Sequence, residues 1–225
     1  MSSFLRNGRK IVAIGRNYAN HIKELGNTTP KEPFFFLKPT TSYLVSGGQV
    51  EIPKGIIVHH EVELGVVIGK KGRDISPSNA DSFISGYTLA IDMTARNLQE
   101  VVKKQGLPWS AVKGFDTFTP IGDFLPKEAV GDPHNLKLWL KINGAIKQEG
   151  STADMIFRIP RLIEHVSSIM TLEEGDLLLT GTPAGVGPIS AGDEISVGLE
   201  SSTGGGLAEL NFKAVNRQGG YSFSP

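Results

Sequence analysis

Cysteine is absent from the 225-residue sequence, and its absence excludes disulfides, thiolate metal sites and thiol catalysis. An excess of charge of either sign is absent too, because 23 lysines and arginines balance 23 aspartates and glutamates. A balanced chain lacks the field that attracts nucleic acid or an anionic membrane. We therefore expect neither of these partners, and we look for a small ligand.

Long apolar runs are also missing. No run reaches the roughly 20 residues that a helix needs to cross a bilayer, and no signal-peptide core is present. We therefore expect a soluble protein. The start, MSSFLRNGRK, is basic and precedes the first acidic residue, Glu24, as in an organelle presequence, although it is very short.

Glycine and proline, 27 and 13 residues respectively, punctuate the whole chain. The apolar segments between them are short and β-branched, as in KIVAIG, VELGVVIG, LKLWLKING and DEISVGL, and such segments are typical of strands. Asn143-Gly144 predicts a hairpin turn after the alternating Leu138, Leu140 and Ile142. We expect one domain over residues 1–225, of class α+β, dominated by a curled mixed sheet with few helices.

Two stretches have the helical period instead. TARNLQEVVKKQG predicts a helix that stops at Gly106, and RLIEHVSSIM predicts a second helix. The second helix should bury one apolar face, formed by Leu162, Ile163, Val166, Ile169 and Met170. Near the end of the chain, GLESSTGGGLAE predicts a flexible loop.

The stretch HHEVELGVVIG, residues 59–69, brings charge to the start of an apolar strand. Side chains alternate along a strand, so Glu61 and Glu63 share one face and Val62 and Leu64 the other. Two adjacent carboxylates repel each other unless a cation lies between them, and oxygen ligands favour Mg²⁺, Mn²⁺ or Ca²⁺ over Zn²⁺. The alternative is a solvated strand edge that charge protects from aggregation.

The histidines in this stretch do not complete a zinc motif, because Leu64 stands where H-E-x-x-H needs its second histidine. We expect His59 or His60 to orient a carboxylate or pack beside it. Asp92, in LAIDMTARN, is the candidate third ligand, since it ends an apolar run where a strand meets a loop. Its alternative role is to cap the helix that follows.

GRNYANHIKE places His21 and Glu24 three residues apart, so that they are neighbours on a helical turn. A histidine oriented by a carboxylate is a general base that can also activate water. The alternative is an incidental pair on an exposed turn. Arg16, just ahead, could bind a carboxylate or lie on the surface.

Two further stretches could bind anions. Lys113 lies among small and apolar residues, where burial requires an anionic partner; alternatively it is exposed. In LLLTGTPAGVGP, backbone N–H groups around Thr182 could receive an anion, or the segment is a tight structural turn. G-x-S-x-G, G-x-G-x-x-G and a complete P-loop are all missing, which argues against serine hydrolases and nucleotide-binding proteins.

Taken in order, seven stretches give the chain a resemblance to the fumarylacetoacetate hydrolase family, in particular its short single-domain acylpyruvase-like and oxaloacetate-processing members. They are GRNYANHIKE, PFFFLKPT, HHEVELGVVIG, LAIDMTARNLQ, KKQGLPW, KGFDTFTPIG and LLLTGTPAGVGP. The resemblance implies a β-rich mixed-sheet or β-roll fold, usually a homodimer, with a divalent cation. It also implies the following roles: metal ligands Glu61, Glu63 and Asp92; catalytic residues His21, Glu24 and Lys113; and pocket residues Arg96, Gln99 and Thr182.

The chemistry implied by the resemblance starts when a short 2-oxo acid chelates the metal, Mg²⁺ by preference, which stabilises an enolate as a Lewis acid. Protonation at carbon gives oxaloacetate tautomerisation, which we favour. Hydrolysis of an acylpyruvate and decarboxylation of oxaloacetate are the alternatives, and a non-catalytic module that binds metal or oxo acid is the alternative of another class. The resemblance to eukaryotic members implies a mitochondrial location, with the cytoplasm as alternative.

Overall fold

The computed structural model describes residues 3–24, 26 and 28–224. In these residues the α-helices are mostly short: α1 (Phe4–Asn7), α2 (Ala19–Glu24), α3 (Arg96–Gln105), α4 (Ser110–Lys113), α5 (Lys127–Val130) and α6 (Ile159–Ile169). The strands are β1 (Ile11–Gly15), β2 (Phe34–Lys38), β3 (Tyr43–Val45), β4 (Gln49–Ile52), β5 (Val58–His60), β6 (Val62–Ile68), β7 (Ile84–Ile91), β8 (Thr94–Ala95), β9 (Thr119–Ile121), β10 (Leu125–Pro126), β11 (Leu136–Ile142), β12 (Ala145–Ser151), β13 (Leu177–Leu179), β14 (Gly187–Ile189), β15 (Glu194–Ser201) and β16 (Gly206–Asn216). The predicted α+β class with few helices is confirmed.

The largest sheet has eight strands in the order β2-β1-β13-β6-β7-β9-β3, with β10 paired to β7. Strands β1 and β13 run parallel, whereas β6 is antiparallel to both of its neighbours. Four strand spacings separate β2 from β7, which is about 19 Å in a flat sheet. Yet Nζ of Lys38, at the end of β2, lies 2.5 Å from Oδ1 of Asp92, just after β7. The sheet is therefore strongly curled, as predicted.

A second sheet has the order β12-β11-β15-β16-β4, and a small third sheet has the order β14-β5-β8. The main core lies between the two larger sheets. Val62 and Leu64 of β6 pack there with Leu138 and Leu140 of β11, and all four side chains are fully buried. Glu63 lies on the opposite face of β6, as the alternation predicts.

The local predictions are largely confirmed. Asn143 and Gly144 form the hairpin turn with φ of 51° and 79°, values that asparagine and glycine tolerate best. Helix α3 ends at a left-handed Gly106. No helix in the described part of the chain is long and apolar enough to span a bilayer.

Two local predictions are wrong. Ile169, expected on the buried face of α6, is 59% exposed at the last residue of the helix, whereas Leu162, Ile163 and Val166 are buried and Met170 packs partly buried against the core. The loop predicted from GLESSTGGGLAE is limited to residues 202–205, since β15 and β16 pair across most of that stretch.

Candidate metal centre and active site

Three carboxylates meet at one end of the curled sheet. Strand β7 is antiparallel to β6, so Asp92, after the end of β7, lies beside Glu61 and Glu63 at the start of β6. The main chain fixes this arrangement, as the Asp92 N–H donates to the Glu61 carbonyl (2.8 Å). One oxygen from each side chain lies within 4.8 Å of the others. The three residues are buried, with at most 7% exposure, so they are not the charges of a solvated strand edge.

Two buried lysines neutralise part of this charge. Nζ of Lys113 lies 2.9 Å from Oε2 of Glu61 and 2.5 Å from Oδ2 of Asp92. Nζ of Lys38 donates to Oδ1 of Asp92 (2.5 Å) and to the Phe118 carbonyl (2.7 Å). Asp92 therefore has a lysine on each carboxylate oxygen. It does not cap α3, whose N-cap is Ala95, without a side-chain hydrogen bond.

Arg96 provides a third cation. Its Nη2 donates to Oε1 of Glu61 (2.5 Å), its Nη1 to Oε1 of Gln99 (2.7 Å) and its Nε to Nδ1 of His59 (3.2 Å). No acceptor of the described chain bonds Nε2 of Gln99, so this nitrogen can donate hydrogen bonds to a ligand. Arg96 thus holds Glu61 and Gln99 in fixed positions.

The neighbouring histidines are held by other groups. Burial, then Arg96, lowers the pKa of His59 to about 4. Burial also lowers the pKa of His60, whose Nδ1 lies 2.9 Å from Oε1 of Gln148. His59 therefore reaches the Glu61 carboxylate only through Arg96, and neither histidine belongs to the group of candidate ligands.

The surroundings of Glu61 and Glu63 shift their pKa values in opposite directions. Burial would raise the pKa of Glu61, but Lys113 and Arg96 outweigh it and hold the pKa below its usual range. Burial raises the pKa of Glu63, and the nearby Asp92 and Glu61 raise it further. Lys113 has a raised pKa because its two carboxylates outweigh burial.

The donor set suits a hard divalent cation. Oε2 of Glu63 accepts one hydrogen bond, from the Gly181 N–H at 2.7 Å. Among the described residues no lysine or arginine lies within ion-pair distance of it. Glu63 therefore lacks positive charge that a cation between the carboxylates would supply, and oxygen-only donors favour Mg²⁺, Mn²⁺ or Ca²⁺.

His21 and Glu24 form a pair on the short helix α2. Nδ1 of His21 lies 3.2 Å from Oε2 of Glu24, and the N–H of Gly185 donates to both Glu24 oxygens at 3.1 and 3.2 Å. His21 is only 6% exposed, so the pair is not an incidental contact on an exposed turn. Because the carboxylate accepts from Nδ1, the pair leaves Nε2 of His21 free to accept a proton.

Arg16 follows β1 in an unusual conformation. Its φ is 58°, in the left-handed region that residues with a β-carbon rarely adopt. The guanidinium lies 6.0 Å from the ring centre of Phe34, and no carboxylate of the described chain pairs with it. Its charge is therefore available to a ligand.

Thr182 follows β13, which is parallel to β1, so its loop and Arg16 lie at the same end of the sheet. Its hydroxyl donates to the Val62 carbonyl (2.8 Å) and accepts from Nε2 of Gln148 (2.8 Å). The structure gives the Thr182 backbone N–H no acceptor among the residues it describes. Of the two groups, only the N–H remains available to an anion.

A cavity of about 190 Å³ joins these groups. Every predicted site residue lines it except Glu24, which reaches it through His21. Phe36 and Trp109 form an apolar wall, with ring centres 5.3 Å apart, and Nζ of Lys113 lies 4.8 Å from the Phe36 ring. The sequence interpretation missed this wall and also Lys38, although Phe34, Phe36 and Lys38 alternate on one face of β2.

Comparisons with known proteins agree with this geometry. The family model described as fumarylacetoacetate (FAA) hydrolase C-terminal matches residues 10–213. A mitochondrial oxaloacetate decarboxylase of Dictyostelium discoideum is 58% identical over 201 residues, 88% of this chain and 92% of that protein. A mitochondrial oxaloacetate tautomerase of Arabidopsis thaliana is 56% identical over 213 residues, 94% of this chain and 93% of that protein. The crystal structure of fumarylpyruvate hydrolase from Pseudomonas aeruginosa in complex with Mn²⁺ and pyruvate is 33% identical, with a TM-score of 0.84 over 93% of this chain and 91% of that one.

Proposed function

The chain belongs to the fumarylacetoacetate hydrolase family, and from that premise we propose that it is a metal-dependent oxaloacetate tautomerase that converts the enol to the keto form. The observation that carries the proposal is the buried group Glu61, Glu63 and Asp92 at the cavity, in which no lysine or arginine of the described residues pairs with Glu63. The relatives named oxaloacetate tautomerase and decarboxylase support the choice of substrate.

Glu61, Glu63 and Asp92 would hold the cation. We propose Mg²⁺, with Mn²⁺ or Ca²⁺ as alternatives, because the donors are carboxylate oxygens. When bound, the cation supplies Lewis acidity that stabilises negative charge on the substrate oxygens. Lys38 and Arg96 keep two of the carboxylates in place through ion pairs.

Charge favours a doubly negative substrate. The three carboxylates are formally balanced by Lys38, Lys113 and Arg96. A divalent cation would then leave two positive charges in excess among these groups, and Arg16 adds a third, so the cavity favours a dianion such as oxaloacetate. The Thr182 N–H, Gln99 Nε2 and Lys113 would hold the carboxylate and 2-oxo end, and Arg16 would bind the far carboxylate.

His21 would move the proton. With Nδ1–H donated to Glu24, its Nε2 can take the proton of the enol hydroxyl and return one to the adjacent carbon. The proton count is unchanged, as tautomerisation requires. The bond from the Gly185 N–H to Glu24 keeps the pair oriented.

Acylpyruvate hydrolysis is the second candidate, because Phe36 and Trp109 form an apolar wall suited to an acyl tail, and the same His21 could activate water. Decarboxylation of oxaloacetate would use the same ligands. A module that only binds oxo acid or metal would have no use for the His21–Glu24 pair.

The test follows enol-oxaloacetate decay by ultraviolet absorbance, beside pyruvate formation and acetylpyruvate cleavage. Wild type and His21→Ala are compared with Mg²⁺ and with chelator. We expect fast, chelator-sensitive enol decay in wild type and a loss of about 100-fold or more in His21→Ala. Faster acetylpyruvate cleavage would favour the acylpyruvase, and silence in every assay would favour the binding module.

Arg16 can be tested separately. Arg16→Gln removes a charged hydrogen bond of about 1.5–3 kcal/mol, so the KM for oxaloacetate should rise about 10- to 100-fold. The KM for acetylpyruvate, which lacks the second carboxylate, should stay constant. Arg16→Lys is the matched control, which keeps the charge; equal effects on both substrates would contradict the assignment.

We further propose that the chain acts as a single catalytic domain, assembles as a homodimer and is located in mitochondria. The location is supported by the names of the relatives, and the single domain by the family match over residues 10–213. Light scattering after size exclusion tests the dimer, and imaging of a carboxy-terminal fluorescent fusion tests the location.

A further inference from the structure

A buried amide from the second sheet contacts the backbone between two of the candidate metal ligands. Gln148 lies on β12 and is 1% exposed. Its Oε1 accepts from the Val62 N–H (3.0 Å) and lies 2.9 Å from Nδ1 of His60. Its Nε2 donates to Oγ1 of Thr182 (2.8 Å) and to the Pro183 carbonyl (2.9 Å). Both donors and both acceptor positions of the amide are therefore occupied.

The orientation of this amide follows from its partners. The Val62 N–H can only donate and the Pro183 carbonyl can only accept, so Oε1 must face the first and Nε2 the second. Rotating the amide by half a turn would place donor against donor and acceptor against acceptor. In the observed orientation Oε1 can only accept, so His60 must carry its proton on Nδ1. The buried amide therefore has one arrangement.

The hydrogen bonds of Gln148 and Thr182 close a ring around Val62, which lies between the candidate ligands Glu61 and Glu63. Because the Thr182 hydroxyl accepts from Gln148, its own proton goes to the Val62 carbonyl (2.8 Å). The ring thus binds both the N–H and the C=O of Val62. The N–H belongs to the peptide that joins Val62 to Glu61, and the C=O to the peptide that joins it to Glu63. These hydrogen bonds therefore fix the peptide planes on both sides of Val62.

We propose that Gln148 is a positioning residue that sets the relative placement of the Glu61 and Glu63 carboxylates and of the Thr182 N–H. It does not line the cavity; it acts through Val62 and Thr182. The inference rests on the proposed metal-dependent function. It adds that metal affinity depends on an amide from a sheet that contributes none of the three ligands.

To test this, Mn²⁺ alone is titrated into wild type and variants well below their unfolding temperatures, and binding is measured by calorimetry and electron paramagnetic resonance. Gln148→Leu removes all four hydrogen bonds, and Gln148→Glu keeps the shape but removes both donors. We expect either variant to raise the Mn²⁺ dissociation constant about 10- to 100-fold, as when supporting partners of metal ligands are lost. If the leucine variant fails to fold, the near-isosteric glutamate variant decides.

Thr152→Val is the matched control. Thr152 is buried beside the same hairpin, and its Oγ1 accepts from the Leu136 N–H (2.9 Å). Losing that bond should lower the unfolding temperature but leave the Mn²⁺ dissociation constant within about twofold. A Gln148 variant with the same pattern as Thr152→Val would overturn the inference. A wild type that binds no Mn²⁺ would instead refute the proposed function.

Discussion

In the described part of the chain two places bury carboxylates, and their charge is compensated in different ways. Asp176, before β13, is fully buried. It accepts from the backbone N–H groups of Arg9 (3.1 Å), Lys10 (3.2 Å) and Glu173 (2.8 Å), and also from the Lys10 ammonium. At the metal centre, by contrast, Glu63 receives one N–H and no cation of the described chain.

The difference teaches that a buried acid is not by itself a sign of function. One lysine and three N–H groups satisfy Asp176, so that carboxylate holds the start of β13 to the chain before β1. Three carboxylates with oxygens within 4.8 Å of one another repel, and the cations of the described residues pair only with Glu61 and Asp92. Because no such cation pairs with the crowded Glu63, the arrangement indicates a place for a bound cation.

Among these variants, Glu63→Gln should have the largest effect, and the effect should be on turnover and not on stability. Removal of a ligand should reduce Mg²⁺-dependent turnover to background, more than about 100-fold, because even supporting residues cost about 10- to 100-fold. The metal-free protein should be no less stable, since burial already raises the pKa of Glu63 and glutamine imitates the protonated acid. Enol decay measures the turnover, and urea unfolding measures the stability of the metal-free protein. Loss of stability with retained turnover would make Glu63 resemble Asp176.

Asp176→Ala should have the opposite effects, with lower stability and unchanged metal affinity. It leaves Lys10 and three N–H groups without their acceptor, which should cost about 3 kcal/mol or more of unfolding free energy. The Mn²⁺ dissociation constant of the folded protein should not change. Urea unfolding and Mn²⁺ titration measure these effects, and a weakened Mn²⁺ affinity would show that the two acids are coupled.

Adding metal should stabilise only proteins with an intact centre. Mg²⁺ at 100 times its dissociation constant should add about 2.7 kcal/mol to the unfolding free energy of wild type and Asp176→Ala. Glu63→Gln should gain nothing. Urea unfolding with Mg²⁺ and with chelator gives the difference, and an equal gain in Glu63→Gln would place the cation elsewhere.

The smallest effect should be on pH dependence, through His59 beside the centre. Its folded-state pKa of about 4 is below the usual value of about 6.5, so between these values the unfolded chain binds more protons. Stability should therefore fall as pH decreases from about 6.5 towards 4. His59→Gln should weaken this dependence in metal-free protein, as measured by urea midpoints at each pH. An unchanged pH dependence in His59→Gln would contradict the assignment of this effect to His59.

Most candidate ligands could be found from sequence because they depend on short-range geometry. Alternation along β6 separates Glu63 from Val62 and Leu64, and a polar residue at the end of an apolar strand drew attention to Asp92. Ile169 was misplaced because helical periodicity does not tell which apolar residues in the last turn of α6 the core covers. The loop at 202–205 was overestimated because glycine-rich composition does not reveal cross-strand pairing.

By itself the sequence determined the strands in KIVAIG, VELGVVIG, LKLWLKING and DEISVGL, the hairpin, the two long helices and the order of acidic and basic residues along the chain. Only the tertiary structure decided that Lys38 reaches Asp92, that Phe36 and Trp109 form one wall, and that Gln148 closes a ring through Val62. These contacts depend on how far the sheet curls and how the second sheet packs upon it. Such long-range packing brings together residues 54 to 86 positions apart, and no local pattern encodes those separations.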